Sequence, residues 1–118
     1  MAGPIRKHIC NNPPFPWLDW IIDGQKEYEG RLFRGDWATM IIGQKIEFYD
    51  DHGKCFAVRV DGIKRFKDFD QAYNALGSKL IPDLGVYTTA NQLYTQLVGF
   101  RQEDIDNYGV IALKVISC

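Results

Sequence analysis

Residues 24–31 read "GQKEYEGR". Lys26, Glu27, Glu29 and Arg31 place four charges in six positions, directly after an apolar run rich in tryptophan. From Glu27 to Phe33 the residues alternate as in a strand, with Glu27, Glu29, Arg31 and Phe33 on one face and Tyr28, Gly30 and Leu32 on the other. Tyr28 and Leu32 are expected to pack inward. Gly30 lies between them, where a side chain would crowd the neighbouring backbone. Glu29 and Arg31 then stand side by side on the opposite face. Lys26 sits at the strand's mouth, where the turn after Gly24 can aim it either way. The pattern predicts a strand that lines a cleft.

Upstream, "PWLDWIID" predicts a short helix with Pro16 in its first position, where the missing N–H costs nothing. Trp17, Leu18, Ile21 and Ile22 would face inward, and Gly24 would close the helix. Residues 1–15, with "NNPPFP", read as an extended N-terminal tail, and residues 16–118 as a single domain. Downstream, "RGDWATMIIGQ" reads as a loop with a buried apolar patch, "KIEFY" as a strand and "DDHG" as a turn. "KCFAVRVDGIKRF" is a longer strand, with Phe56, Val58 and Val60 on one side and Gly62 marking a bulge. Helical spacing follows in "FKDFDQAYNAL" and again over residues 89–98, where Thr89 and Gln92 form a capping box. "RQEDIDNYG" reads as a short polar turn or a short helix. "VIALKVI", residues 110–116, is apolar nearly throughout and predicts a central strand. Few helices separate the strands, which disfavours a doubly wound parallel sheet. The order of elements predicts an α+β domain, a small and mostly antiparallel β-barrel or strongly curved sheet with peripheral helices.

Composition bounds the function classes. The chain has 118 residues, 46% hydrophobic and 25% charged, with a net charge of −1. Such a balance argues against holding long nucleic acid by bulk charge, though it leaves room for a local basic pocket. No apolar run is long enough to span a bilayer, and residues 1–10 lack a signal-peptide core. Cys10, Cys55 and Cys118 have neither disulfide-framework nor zinc spacing, so three free thiols and an intracellular setting, cytoplasmic or nuclear, are expected. Cys55 is expected to be an inert buried thiol. Neither a cofactor nor a membrane partner is implied.

Gly24, Lys26, Glu29 and Arg31 together spell G-x-K-x-x-E-x-R. This resembles the signature of the ASCH family, a branch of the PUA-like superfamily. Around it stand an aromatic-rich helix, "EGRL" at 29–32, "GQKIEF" leading into the next strand, "IKRFKDF" after the third strand, "LIP" and a terminal "YGVIALKV". The resemblance runs from about Pro16 to Ile116. It implies a PUA-like β-barrel with a cleft beside the motif, and an RNA, nucleotide or nucleoside ligand. Some small relatives hydrolyse the acetyl amide of acetylcytidine, and ribonuclease activity occurs in the family. The amidohydrolases resemble G-x-K-x-x-T-x-R, with a threonine nucleophile and a carboxylate from the helix after the third strand. Here Glu29 fills the threonine position, and the helix counterpart falls near Leu76 and Gly77, neither of them acidic.

A carboxylate flanked by cations can accept from the exocyclic amine of a base, while Lys26 and Arg31 can pair with phosphate or a carbonyl. The plainer reading makes Glu29 and Arg31 a rim ion pair. Trp37 is expected to line or plug the cleft. Of Trp17 and Trp20 one would be core and the other a stacking platform, with Trp20 placed in the ligand set. Arg59, Lys64, Arg65 and Lys67 form a basic run; Arg65 and Lys67 would guide a phosphate backbone. The expected ligand-binding residues are thus Gly24, Lys26, Glu29, Arg31, Trp20, Trp37, Arg65 and Lys67. Three functions compete: an RNA- or nucleotide-binding module; an enzyme on RNA or a modified nucleoside, with Lys26 and Glu29 as catalytic groups; and a protein-interaction domain that has lost the pocket. The motif has no Ser, Thr or Cys nucleophile beside it, which favours binding.

Overall fold

The computed structural model describes residues 3–118, so the first two residues of the expected tail lie outside it. In chain order the elements are β1 (Ile5–His8), α1 (Trp17–Ile22), β2 (Tyr28–Leu32), β3 (Lys45–Tyr49), β4 (Cys55–Phe66), α2 (Phe69–Leu76), α3 (Ala90–Leu93), α4 (Gln102–Tyr108) and β5 (Val110–Ser117). The five strands form one mixed sheet in the order β1-β3-β4-β5-β2. β1 runs parallel to β3, and the other three pairings are antiparallel. The sheet curls into a half-barrel that leaves β1 and β2 as its two edges.

Burial explains the order. Val110, Ile111, Ala112 and Leu113 are at most 1% exposed, and β5 lies between β4 and β2, as its unbroken apolar run requires. Ile46 and Phe48 of β3 and Val58 and Val60 of β4 close the inner face. The β4–β5 register shifts between Val60 and Gly62, at the expected bulge. A Cβ on Gly62 would sit 3.2 Å from the Cβ of Lys114.

The helices follow their caps. The Asp68 carboxylate accepts from the Gln71 N–H at 2.8 Å and starts α2, which buries Phe69 and Ala72. Thr89 accepts from the Gln92 N–H at 3.0 Å, but Gln92 reaches back to the N–H of Thr88 rather than Thr89. The helix that begins there widens into a π turn at Tyr94–Val98 and stops at Gly99, whose φ is +94°.

Four expectations are corrected. Within the stretch read as a tail, residues 5–8 are an edge strand, and Ile9 and Phe15 enter the core at 3% and 5% exposure. β1 is only four residues long and alternates half-buried with exposed residues, so charged Arg6 and Lys7 mask its strand character. Ile22 is 41% exposed, because it lies at the edge of the short stripe that Trp17, Leu18 and Ile21 fill. The patch in the 34–44 loop reduces to Met40; Ile41 and Ile42 are thrown outward by a turn at Gly43, whose φ is +89°. Cys55 is exposed at the start of β4, as are the unpaired Cys10 and Cys118. Among the described residues no helix is long and apolar enough to cross a membrane.

Candidate functional site

The turn that ends α1 sets the site. Gly24 takes a φ of +86°, and the Lys26 N–H donates to Trp20 O at 2.9 Å. Lys26 thereby shares the inward parity of Tyr28, Gly30 and Leu32. Its side chain is fully sealed. The ammonium donates to the carbonyl of Leu80, lies 4.5 Å from the centre of the Trp17 ring, and stands 3.6 Å from Glu29 Oε1. Burial pushes its pKa down from 10.5 to about 8, against the opposing pull of Glu29.

Glu29 is itself 4% exposed. Its second oxygen, Oε2, accepts from the Arg31 guanidinium at 3.1 and 3.4 Å. The three side chains thus form a cation–carboxylate–cation row running from the interior to the surface. Arg31 continues it by donating to the main-chain carbonyl of His8 at 3.0 Å. That bond ties β2 to β1, the two free edges of the sheet.

A cavity of about 180 Å³ opens between those edges. His8, Ile9 and Cys10 form one side; Glu29, Gly30 and Arg31 form the other; Trp17, Tyr94, Val98 and Phe100 complete it. The aromatic walls are nearly aligned, with Trp17 and Tyr94 inclined by 29° and Tyr94 and Phe100 by 8°. Tyr94 also stacks on Phe69 with centroids 3.7 Å apart. Its hydroxyl is a buried side-chain polar atom without a hydrogen-bond partner among the described residues. Burial, and after it the negative charge of Glu29, raises its pKa well above the usual tyrosine value, so it stays protonated.

Of the residues singled out from sequence, Glu29 and Arg31 line this cavity, and Lys26 stands behind Glu29 without reaching the cavity surface. Trp37 is next door: its ring lies 4.6 Å from the Arg31 guanidinium and lines a second hollow of about 140 Å³ with Arg31, Leu32, Arg34 and Phe100. Gly24 shapes the turn and touches neither hollow. Trp20 packs edge-on against Trp17 at 5.6 Å, so the tryptophan that walls the cavity is Trp17. Arg65 lies over the Phe33 ring at 3.2 Å, and exposed Lys67 takes its place at the start of α2; neither lines the cavity.

His8, Ile9 and Cys10 were hidden in the supposed tail. Tyr94 looked like one more member of an apolar helical stripe. Phe100 followed a glycine in a segment without periodicity. Among the described residues Glu29 is the one acid lining the cavity; Asp68, the N-cap of α2, and Asp70 within it are engaged at Gln71 and Asn91.

No family model matches the chain, and no curated protein does. Two of the solved structures that are similar are the following. One is the crystal structure of hypothetical protein PH0355, with a TM-score of 0.75 and 21% identity over 97% of this chain and 100% of that one. The other is the solution structure of PF0455 from Pyrococcus furiosus, with a TM-score of 0.69 and 22% identity over 96% and 97%. At this identity the likeness shows a shared fold.

Proposed function

We propose that the cavity between β1 and β2 is a recognition site for a nucleobase, in RNA or in a free nucleotide or nucleoside, on an ASCH-like, PUA-like domain. The observation that carries this reading is the Lys26–Glu29–Arg31 row at an aromatic cavity. Buried charges are costly to desolvate, and a buried ion pair adds little stability over an apolar replacement. The place of Glu29 and Arg31 on the wall of a concave site, with Lys26 buried behind them, is the arrangement expected of a binding pocket. About 180 Å³ is below the roughly 300–1,000 Å³ of drug-sized ligand sites and suits a single ring system. The aromatic walls give such a ring faces to stack on. Glu29 accepts from an amine of the base, and Arg31 at the rim meets a carbonyl or phosphate.

A second reading rests on the Lys26 pKa of about 8, which is near that of a useful general base. An enzyme acting on RNA or a modified nucleoside would use it together with Glu29. Against this, the ammonium is held by Leu80 O and screened by Glu29 and Trp17 from the cavity. Binding is the reading we adopt.

The test is equilibrium titration of short RNAs and the four ribonucleosides against the wild type, Lys26→Ala, Glu29→Gln and Lys67→Ala, at two salt concentrations. The proposal expects saturable binding that Glu29→Gln weakens by about 1–3 kcal/mol, and that Lys26→Ala weakens through the loss of the cation behind Glu29. Lys67→Ala should cost less and mainly reduce the salt dependence. Equal losses in all three variants, or no saturable binding by the wild type, would leave Glu29 and Arg31 as a rim ion pair.

A further inference from the structure

The β2–β5 ladder fixes where each main-chain group of β2 points. The Val115 N–H donates to Glu27 O at 3.0 Å, and the Phe33 N–H to Gly109 O at 3.0 Å. With Glu29 opposite Leu113 and Arg31 opposite Ile111, the odd-numbered residues exchange hydrogen bonds with β5. Tyr28, Gly30 and Leu32 therefore turn their N–H and C=O groups away from β5, toward the free side of the sheet. Leu32 O is taken by the Arg34 N–H at 2.9 Å. Of these three residues only Gly30 lines the cavity, and among the described residues neither the sheet nor a side chain takes up its N–H or C=O. The partnerless Tyr94 hydroxyl is close by: a Cβ on Gly30 would sit 3.2 Å from it.

An N–H and a C=O on the same side of one residue are a fixed donor–acceptor pair. In a sheet they bind the matching acceptor and donor of a partner strand. On a ring, a lactam or amidine edge carries the same complement, with an N–H beside a carbonyl oxygen or a ring nitrogen. We propose that the Gly30 main chain reads such an edge on a planar nitrogen heterocycle, and that the Tyr94 hydroxyl donates to a further acceptor on the same ring. The inference rests on the base-site reading above and names the atoms that would do the recognising. A heterocycle fits better than an added peptide strand, because among the described residues Gly30 alone of Tyr28, Gly30 and Leu32 turns its main chain to the cavity, between aromatic walls.

Gly30 also has reason to be glycine beyond its main chain, since the added Cβ would lie 3.2 Å from Leu80 Cδ1 and from the Tyr94 hydroxyl. Gly30→Ala would therefore mix packing with recognition, and Tyr94→Phe is the cleaner variant. It keeps the ring stack and removes an atom with no partner among the described residues, so the free protein should melt at the same temperature or higher.

The experiment follows the Gly30 amide by ¹⁵N–¹H NMR in the full chain. The probes are uridine and adenosine, with 3-methyluridine and N6,N6-dimethyladenosine as analogues that lack the edge donor. The expected result is a Gly30 shift on binding of at least one parent nucleoside. Its methylated analogue should lose roughly tenfold in affinity, and so should the parent nucleoside with Tyr94→Phe. If the wild type binds neither these nucleosides nor the short RNAs, the base-site reading fails and takes this inference with it. If nucleosides bind but the Gly30 amide stays still and the methylated analogues bind equally well, the base site stands and the edge-reading inference alone is overturned. Melting of Tyr94→Phe well below the wild type would show that the hydroxyl has a structural partner, and would remove Tyr94 from the ligand set.

Discussion

The Lys26 ammonium stands 3.6 Å from Glu29 Oε1, with the lysine side chain wholly sealed and that of the glutamate 6% exposed. Arg31 holds the other oxygen of the same carboxylate at 3.1 Å. One acid thus serves two cations, one in the interior and one at the rim. A surface pair would contribute about 0–1 kcal/mol. In this row, removing a member strands a buried charge.

The pH dependence of stability follows from Lys26. Its folded-state pKa is lowered from 10.5 to about 8, so between those values the unfolded chain binds the proton and the native chain does not. Stability contributed by this group therefore rises with pH through that window, by up to about 3 kcal/mol. Denaturant unfolding of the wild type and Lys26→Met from pH 7 to 10.5 isolates the effect. The wild type should gain on the variant as pH rises; parallel curves would mean that the ammonium is not desolvated.

Glu29→Gln keeps the shape and removes the charge between the two cations. Lys26 would lose its counter-charge while still buried; with a pKa of about 8 it can shed its proton at pH 7, so the loss should be about 1–2 kcal/mol. Chemical denaturation at pH 7 measures it. A loss below about 0.5 kcal/mol would mean that the pair is solvated.

Ile9→Ala probes the N-terminal segment. Ile9 is 3% exposed, and its N–H donates to Tyr49 O at 2.9 Å, which extends the β1–β3 pairing. The substitution should cost about 2–5 kcal/mol. A detached tail would show no change in the unfolding midpoint.

Much of the sheet was legible because its strands are long or strongly patterned. β5 declared itself through an unbroken apolar run, and Gly62 marked the bulge. The G-x-K-x-x-E-x-R spacing pointed to Glu29 and Arg31, which do line the cavity. β1 could not be seen, because four residues carrying Arg6, Lys7 and His8 look solvated until a parallel partner is known. With β1 went His8, Ile9 and Cys10, one whole side of the cavity. Trp17 and Trp20 are three residues apart on one short helix, and only tertiary packing separates the wall from the support. Lys26 looked like a group that reaches the cleft; strand parity, which the turn at Gly24 sets, carries it behind the carboxylate instead.

Lys67→Ala tests the limits of the site. The side chain is exposed and away from the cavity, so stability should change by less than about 0.5 kcal/mol. Nucleoside affinity should stay the same, and any effect should appear with longer RNA at low salt. A loss of nucleoside binding equal to that of Lys26→Ala would move the site to the basic run at the end of β4.

The most direct test of the central claim is to map where a nucleoside or short RNA lands, by ¹⁵N–¹H shift perturbation on the labelled protein. The account predicts saturable shifts concentrated at residues 8–10, at Glu29, Gly30 and Arg31, and along 94–100, with residues 64–67 little moved by free nucleosides. Shifts confined to residues 59–67 and abolished by salt, or none at millimolar ligand, would contradict it.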